Sequence, residues 1–95
     1  PYYLRGLLNF ELGNAEIALE DLQMAVELNP NDSRSMYNLA TFYYQNKRHV
    51  EAERYIRRAL SLEPANRDFQ YLLALVLKEQ GKNDASRRIM QQLNS

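Results

Sequence analysis

The stretch SRSMYNLATFYYQNKRHVEAERYIRRALSLEPAN, Ser33 to Asn66, decides the fold of this 95-residue chain. Displaced by 34 positions, the sequence meets itself: Tyr3 falls on Tyr37 and then on Tyr71, Ala18 on Ala52, and Leu22 on Ile56. Ala25 likewise meets Ala59, Leu28 meets Leu62, and Pro30 meets Pro64. The residues on either side of the stretch read as less complete copies of it. A fixed period of this length marks a solenoid of helical hairpins, because each hairpin can bury its apolar side only against the next.

Composition narrows the class further. Hydrophobic residues make up 45% of the chain, cysteine is absent and there are three glycines, which excludes disulfide miniproteins, collagen-like chains and disorder. The longest apolar run, Leu72 to Leu77, is far short of the roughly 20 residues of a membrane span, so no membrane insertion is expected. The absence of cysteine leaves the compartment open between cytoplasm and periplasm. The chain starts at Pro1 with no charged-then-apolar leader, and it is expected to be a piece of a longer protein. Net charge is zero but polarised. Residues 1–32 carry one base against six acids, residues 33–66 six against three, and residues 67–95 five against three. Such polarity can steer a partner or favour stacking of neighbouring units. Glu20 and Arg54, one period apart, are expected to pair across a unit boundary.

Apolar residues recur at three- and four-residue steps almost throughout, which argues helix. A first helix is expected over Tyr2–Leu12, stopped by Gly13. A second runs from about Ala15 to Leu28, with Ile17, Leu19, Leu22, Val26, Ala18 and Ala25 inside, and ends before Pro30. Asp32 is placed to cap a third, which holds Met36, Leu39, Ala40, Phe42 and Tyr43 and closes near Asn46. A fourth runs from about His49 to Leu62 and buries Val50, Ala52, Tyr55, Ile56, Ala59 and Leu60. Asn66 caps a fifth, Phe69 to Gln80, which stops at Gly81. A sixth starts near Asn83 and carries Ile89, Met90 and Leu93. Connections of two to four residues make successive helices antiparallel. The expectation is all-α: six helices in three hairpins, with no strands.

With that pattern in place, the chain resembles the tetratricopeptide repeat family, whose helix–turn–helix unit is 34 residues long. The family's eight preferred places fall on Met36, Leu39, Ala40, Tyr43, Ala52, Ile56, Ala59 and Pro64 of the central unit. In the first unit they fall on Tyr2, Arg5, Gly6, Asn9, Ala18, Leu22, Ala25 and Pro30. In the third, seven of them fall on Gln70, Leu73, Ala74, Leu77, Ser86, Met90 and Leu93, and the sequence stops before the place of the proline. The resemblance implies a right-handed α-solenoid forming a single domain over residues 1–95, with units at 1–32 (incomplete at its start), 33–66 and 67–95. Arg5 and Asn9 depart from the family's apolar preference, as suits a terminal unit. The related pentatricopeptide repeats, which read RNA, have a longer unit, and the constant step of 34 argues against them.

No catalytic pattern stands out. His49, the single histidine, sits in a turn with Glu53 one helical turn on, short of the three or four convergent ligands zinc needs, and reads as a solvated turn residue. The serines and threonine have no base arranged to activate them. There is no glycine-rich phosphate loop, no small-molecule substrate is expected, and no cofactor is implied. The arginines at 48, 54, 57, 58, 87 and 88 give the second helices a basic face. A neutral total with interleaved glutamates argues against a nucleic-acid stripe.

The resemblance implies a protein or peptide ligand bound in a concave groove lined by the first helix of each hairpin. The matching positions are Tyr3, Leu7 and Phe10, then Arg34, Tyr37, Asn38, Thr41 and Tyr44, then Tyr71, Leu75 and Lys78, with Leu72 beside them. These tyrosines either bind ligand or stack on one another and on the second helices, and the two uses are compatible. Asparagine at Asn38 can pair donor and acceptor with an extended peptide backbone. The branch of the family that clamps C-terminal carboxylates needs cationic side chains where Tyr3, Asp68 and Leu72 stand, so a chaperone-tail adaptor is not implied. At the far end Ile89, Met90 and Leu93 meet water, another part of the parent protein or a second copy. The alternative function is therefore a structural or oligomerisation module working through that edge, as a homodimer.

Ala40 and Ala52 are expected to face each other where the helices of the central hairpin come closest. Ala52→Leu should overpack that crossing and cost about 1–3 kcal/mol. Thermal melts followed by circular dichroism check this, and an unchanged midpoint would contradict the placement.

Overall fold

The computed structural model describes residues 15–95, and over them the chain forms five α-helices. They are α1 (Ala15–Leu28), α2 (Ser33–Gln45), α3 (His49–Leu62), α4 (Arg67–Glu79) and α5 (Asn83–Leu93). No strand occurs among the described residues, and no helix there is long and apolar enough to cross a membrane. The helix expected over Tyr2–Leu12, with its stop at Gly13, lies outside the described residues. α2 packs on α3 and α4 on α5 as hairpins, while α1 lies against α2 and α4 against α3. This is an α-solenoid.

Two kinds of turn keep the repeat in step. Between hairpins, the Asp32 N–H donates to the Asn29 carbonyl at 3.0 Å and the Asn66 N–H to the Glu63 carbonyl at 3.1 Å. Each closes a four-residue turn with proline, Pro30 or Pro64, in second place, where its fixed φ fits. The last residue of each turn then caps the next helix. Asp32 accepts the Arg34 N–H at 3.1 Å and the Ser35 hydroxyl at 3.0 Å, and Asn66 accepts the Phe69 N–H at 3.1 Å. Within hairpins the chain reverses through a left-handed residue, Lys47 (φ 62°) or Gly81 (φ 80°). The Arg48 N–H reaches back to the Tyr43 carbonyl at 2.8 Å and the Lys47 N–H to that of Tyr44 at 3.1 Å. Lys82 and Gly81 repeat this on Leu77 (2.9 Å) and Lys78 (3.0 Å), so both helices end in the same paired-bond motif.

The core runs along the hairpin crossings. Ala18, Ala40, Ala52, Ala59 and Ala74 are wholly enclosed, as are Leu39, Ile56 and Val76. The third hairpin shows why small residues stand there. Ser86, one period after Ala52, donates its hydroxyl to the Ala74 carbonyl at 2.7 Å, so the side chain meets the opposing backbone directly. Tyr43 ties neighbouring elements together: its ring stacks on Tyr55 (centroids 5.8 Å) and its hydroxyl accepts from Gln23 Nε2 at 3.1 Å.

Three sequence expectations need correction. Val50, placed in the core, is 71% exposed, because it shares a helix side with the exposed Arg54 and Arg57. Ile17 is exposed as well, on the outward side of α1 that also carries Glu20, Met24 and Leu28. Glu20 and Arg54 form no ion pair among the described residues. Both are exposed, and packed helices stand about 8–10 Å apart, so equivalent surface positions do not meet.

Glu53 makes the tie across the second unit boundary instead. Its side chain, 17% exposed, accepts from Arg57 Nε at 2.8 Å on its own helix. From the α4–α5 turn it accepts Gln80 Nε2 at 2.7 Å and Lys82 Nζ at 3.1 Å. Burial works to raise its pKa, but the hydrogen bonds from Arg57, Gln80 and Lys82 outweigh burial and hold the value down at about 2.

The left-handed turn predicts opposite outcomes at its two sites. Lys47→Gly should stabilise the fold by about 1 kcal/mol by relieving a side chain held at positive φ. Gly81→Ala should cost about 1 kcal/mol through backbone strain alone, since an added Cβ meets nothing within 4 Å. Urea titrations check both, and equal signs would contradict this account. For Glu53, a folded value below the ordinary 4.5 means stability present above pH 4.5 and lost as pH falls towards 2. Glu53→Gln should therefore lose less stability than the parent over that window, as read by urea titrations at stepped pH.

Candidate functional site

The first helix of each described hairpin, α2 or α4, buries one side and leaves another free. On α2 the free side carries Arg34, Tyr37, Asn38, Thr41 and Tyr44, spaced by three and four residues and so aligned in one stripe. On α4 it carries Tyr71, Leu75 and Lys78. Arg34, Tyr71 and Lys78 are exposed, and the remaining five are half-buried. Leu72 does not join them: it is buried in the core, on the same inward side of α4 as Phe69 and Val76. Tyr3, Leu7 and Phe10, expected to extend the stripe, lie outside the described residues.

Local contacts differ from a simple ladder of tyrosines. Tyr37 stacks not on Tyr71 but on Phe69, with centroids 5.0 Å apart and planes at 27°. Phe69 holds that place because the Asn66 cap starts α4 two residues before it. The Thr41 hydroxyl donates to the Tyr37 carbonyl at 2.9 Å, so its donor is committed within the helix. Asn38 differs from its neighbours. Its half-buried side-chain amide makes no hydrogen bond among the described residues, leaving donor and acceptor free beside the stacked Tyr37 ring.

Tyr44 connects the stripe to the hairpin turn. Its ring lies 5.8 Å from His49, tilted by 58°. Burial raises its pKa, and the charges of Glu79 and Tyr71 add to this, so the hydroxyl stays protonated and available as a donor. His49 is not the solvated turn residue expected from sequence. It is half-buried, and its Nδ1 is enclosed with no hydrogen-bond partner among the described residues. Glu53 is engaged elsewhere, and no cluster of three or more His, Asp or Glu side chains suited to a metal occurs among the described residues.

Two concavities were not legible in sequence. One, about 220 Å³, opens at the N-terminal ends of α2 and α4, where Tyr37 and Phe69 meet Asp32, Arg34, Glu63 and Asp68. The other, about 430 Å³, lies between α1 and α3, lined by Gln23, Val26, Pro30, Tyr55 and Arg58. Both are formed by residues from consecutive hairpins, so only the stacking of hairpins creates them. Three of the six arginines of the basic outer face are closely engaged. Arg48 lies over Tyr43 at 5.0 Å and pairs with Glu51 at 2.6 Å, Arg57 pairs with Glu53, and Arg58 lies over Tyr55 at 5.2 Å.

Comparison with known proteins agrees with the architecture. A family described as tetratricopeptide repeat matches residues 3–67, and a second family of the same description matches residues 43–95. Human tetratricopeptide repeat protein 6 is 31% identical over 62 residues, covering 65% of this chain and 12% of that protein. The crystal structure of MamA superposes with a TM-score of 0.88 at 23% identity, over 97% of this chain and 50% of the other. A MamA structure from Desulfovibrio magneticus RS-1 gives 0.87 at 17% identity, over 97% and 52%. The chain thus spans about half the length of these solved chains and a small part of the human relative. At such identities the solved structures share the fold. The small-residue crossings, the recurring proline turns and two family matches that together run from residue 3 to residue 95 lead to one conclusion: the chain belongs to the tetratricopeptide repeat family.

Proposed function

We propose that the chain is a protein-interaction module, a scaffold or adaptor, that binds an extended peptide or helical segment along the free side of α2 and α4. The free amide of Asn38 carries this reading. A half-buried amide with both donor and acceptor uncommitted among the described residues, on the same stripe as the anchored Tyr37 ring and the Tyr44 hydroxyl donor, suits the alternating N–H and C=O groups of a peptide backbone. Tyr71 and Leu75 supply apolar contact area, and tyrosine gives such area at little cost in rotamer entropy. Arg34 and Lys78 stand at the two ends of the stripe. Tyr3, Leu7 and Phe10 would continue it in the first unit of a single domain with units at 1–32, 33–66 and 67–95. In this reading the chain does no chemistry on its ligand, and engagement of Arg48, Arg57 and Arg58 by Glu51, Glu53 and aromatic rings disfavours nucleic acid.

A second reading, oligomerisation through the far edge, is supported by the half-burial of Ile89, Met90 and Leu93, three apolar residues spaced along α5. The two readings use different surfaces.

Selection of a random dodecapeptide display library on the protein, followed by anisotropy titration of the selected peptides, tests the groove. Asn38→Ala and Tyr71→Ala should each weaken binding by about 1–2 kcal/mol, roughly 5- to 30-fold. Peptides that bind both variants as tightly as the parent would place the site elsewhere.

A further inference from the structure

The smaller concavity, about 220 Å³, opens at one end of the α2 stripe, between two consecutive hairpins. One wall is aromatic: the half-buried Tyr37 ring, backed by buried Phe69 with centroids 5.0 Å apart. The remaining lining carries three carboxylates, Asp32 and Glu63 from the two proline turns and Asp68 from the first turn of α4. Two of them are fixed by the fold. Asp32 caps α2, and Glu63 accepts the hydroxyl of Ser33, a side chain only 7% exposed at the start of that helix. Asp68 is exposed and makes no hydrogen bond among the described residues. Arg34, the one base of the lining, is exposed as well, and none of these carboxylates has a cationic partner among the described residues. The balance favours a cation even after the helix ends are counted. α2 and α4 both start here, and each N-terminus is worth about half a positive charge. Together with Arg34 they offset two of the three carboxylates and leave about one negative charge in excess. A metal ion is not the cation that fits, since no three acidic or histidine side chains suited to one converge among the described residues.

We propose that this recess is the specificity pocket of the groove and takes an arginine side chain of the bound peptide. The inference rests on the groove reading above and names the class of peptide. A guanidinium is planar and weakly hydrated, so it can lie against the Tyr37 ring while its forked N–H groups donate to Asp68 and Glu63. Charge-assisted bonds of that kind are short and strong, and Glu63 is already held in place by Ser33. A lysine ammonium is a compact, strongly hydrated charge that gains less from the aromatic wall. The volume equals roughly seven waters at their share of the liquid, room for the guanidinium and the end of its stem while the peptide backbone stays outside. Asn38 stands four residues past Arg34, about 6 Å along α2. An extended peptide covers that distance in about two residues. The arginine therefore lies about two residues from the peptide unit that Asn38 pairs.

Two displayed dodecapeptide libraries test this, one with arginine fixed at a central position and one with glutamate fixed there, random elsewhere. Selected peptides are labelled with fluorescein and titrated against the protein by anisotropy. The arginine library should yield the tighter binders, and replacing that arginine by alanine should weaken them about tenfold. Asp68→Asn in the protein should weaken the arginine peptides by a similar factor and leave their alanine versions unchanged. Asp68→Lys should shift enrichment to the glutamate library. Circular dichroism verifies that each variant keeps its helical signal. Peptides that weaken on Asn38→Ala but respond neither to loss of the arginine nor to Asp68→Asn overturn the pocket and leave the groove standing. Peptides that respond to none of these changes, or no binder from either library up to about 1 mM, overturn the groove and the pocket together.

Discussion

The closeness of the two helices within each hairpin is the constraint on which the rest of this structure depends. Where α4 and α5 cross, the Ser86 hydroxyl touches the backbone carbonyl of Ala74, which leaves no room for a longer side chain. Ala40 and Ala52 hold the equivalent places in the central hairpin and are wholly enclosed. Packed helices stand about 8–10 Å apart according to the side chains between them, so alanine and serine put each hairpin at the near end of that range. A narrow hairpin presents a narrow ridge. The next hairpin can then lie on it with Leu22 or Ile56 filling the space between, each worth about 2 kcal/mol on burial.

Turn chemistry converts that packing into a fixed period. Proline in second place and an Asx cap in fourth place start α2 and α4 at the same phase of the repeat. Left-handed residues at Lys47 and Gly81 start α3 and α5 at the same phase too. With both starts fixed, residues one period apart occupy equivalent sites, and differences between them become informative. Ala52 and Ser86 solve one packing problem in two ways. Glu53 and Arg87 present opposite charges at one place, and Tyr37 and Tyr71 differ in whether a following aromatic ring covers them.

The aromatic residues are divided by helix phase. Phe42, Tyr43 and Phe69 point inward and bind the hairpins together, with Tyr43 held by both a stacked Tyr55 and the Gln23 amide. Tyr37 is shared, its ring packed on Phe69 while its helix side also carries the free Asn38 amide. Tyr71 turns outward, while Tyr44 is half-buried beside His49. The same residue type therefore serves as structure or as available surface depending on a step of one residue along a helix, because each step rotates the side chain by about 100°.

Much of this protein was legible in its sequence, because the physics involved is local or periodic. The step of 34 announces stacked hairpins, Pro30 and Pro64 announce helix ends, and Asp32 and Asn66 are caps that act within three residues of themselves. The stripe from Arg34 to Tyr44 came from the resemblance to the repeat family, and helix spacing then aligns its members on one side of α2. Other features were set only when distant residues met. Periodicity placed Val50 and Ile17 inside, yet burial depends on what lies opposite, and both stay exposed on outward helix sides. Sequence paired Glu20 with Arg54 by period, but helix separation keeps such equivalents apart, and at the next boundary the tie is made by Glu53 with Gln80 and Lys82. The cover of Tyr37 by Phe69, the uncommitted amide of Asn38 and the enclosed Nδ1 of His49 arise from contacts or gaps between elements. The sequence by itself thus determined the hairpins, their ends and their order. The tertiary structure decided which side chains remain free to meet a partner, since that depends on how closely one hairpin settles on the next.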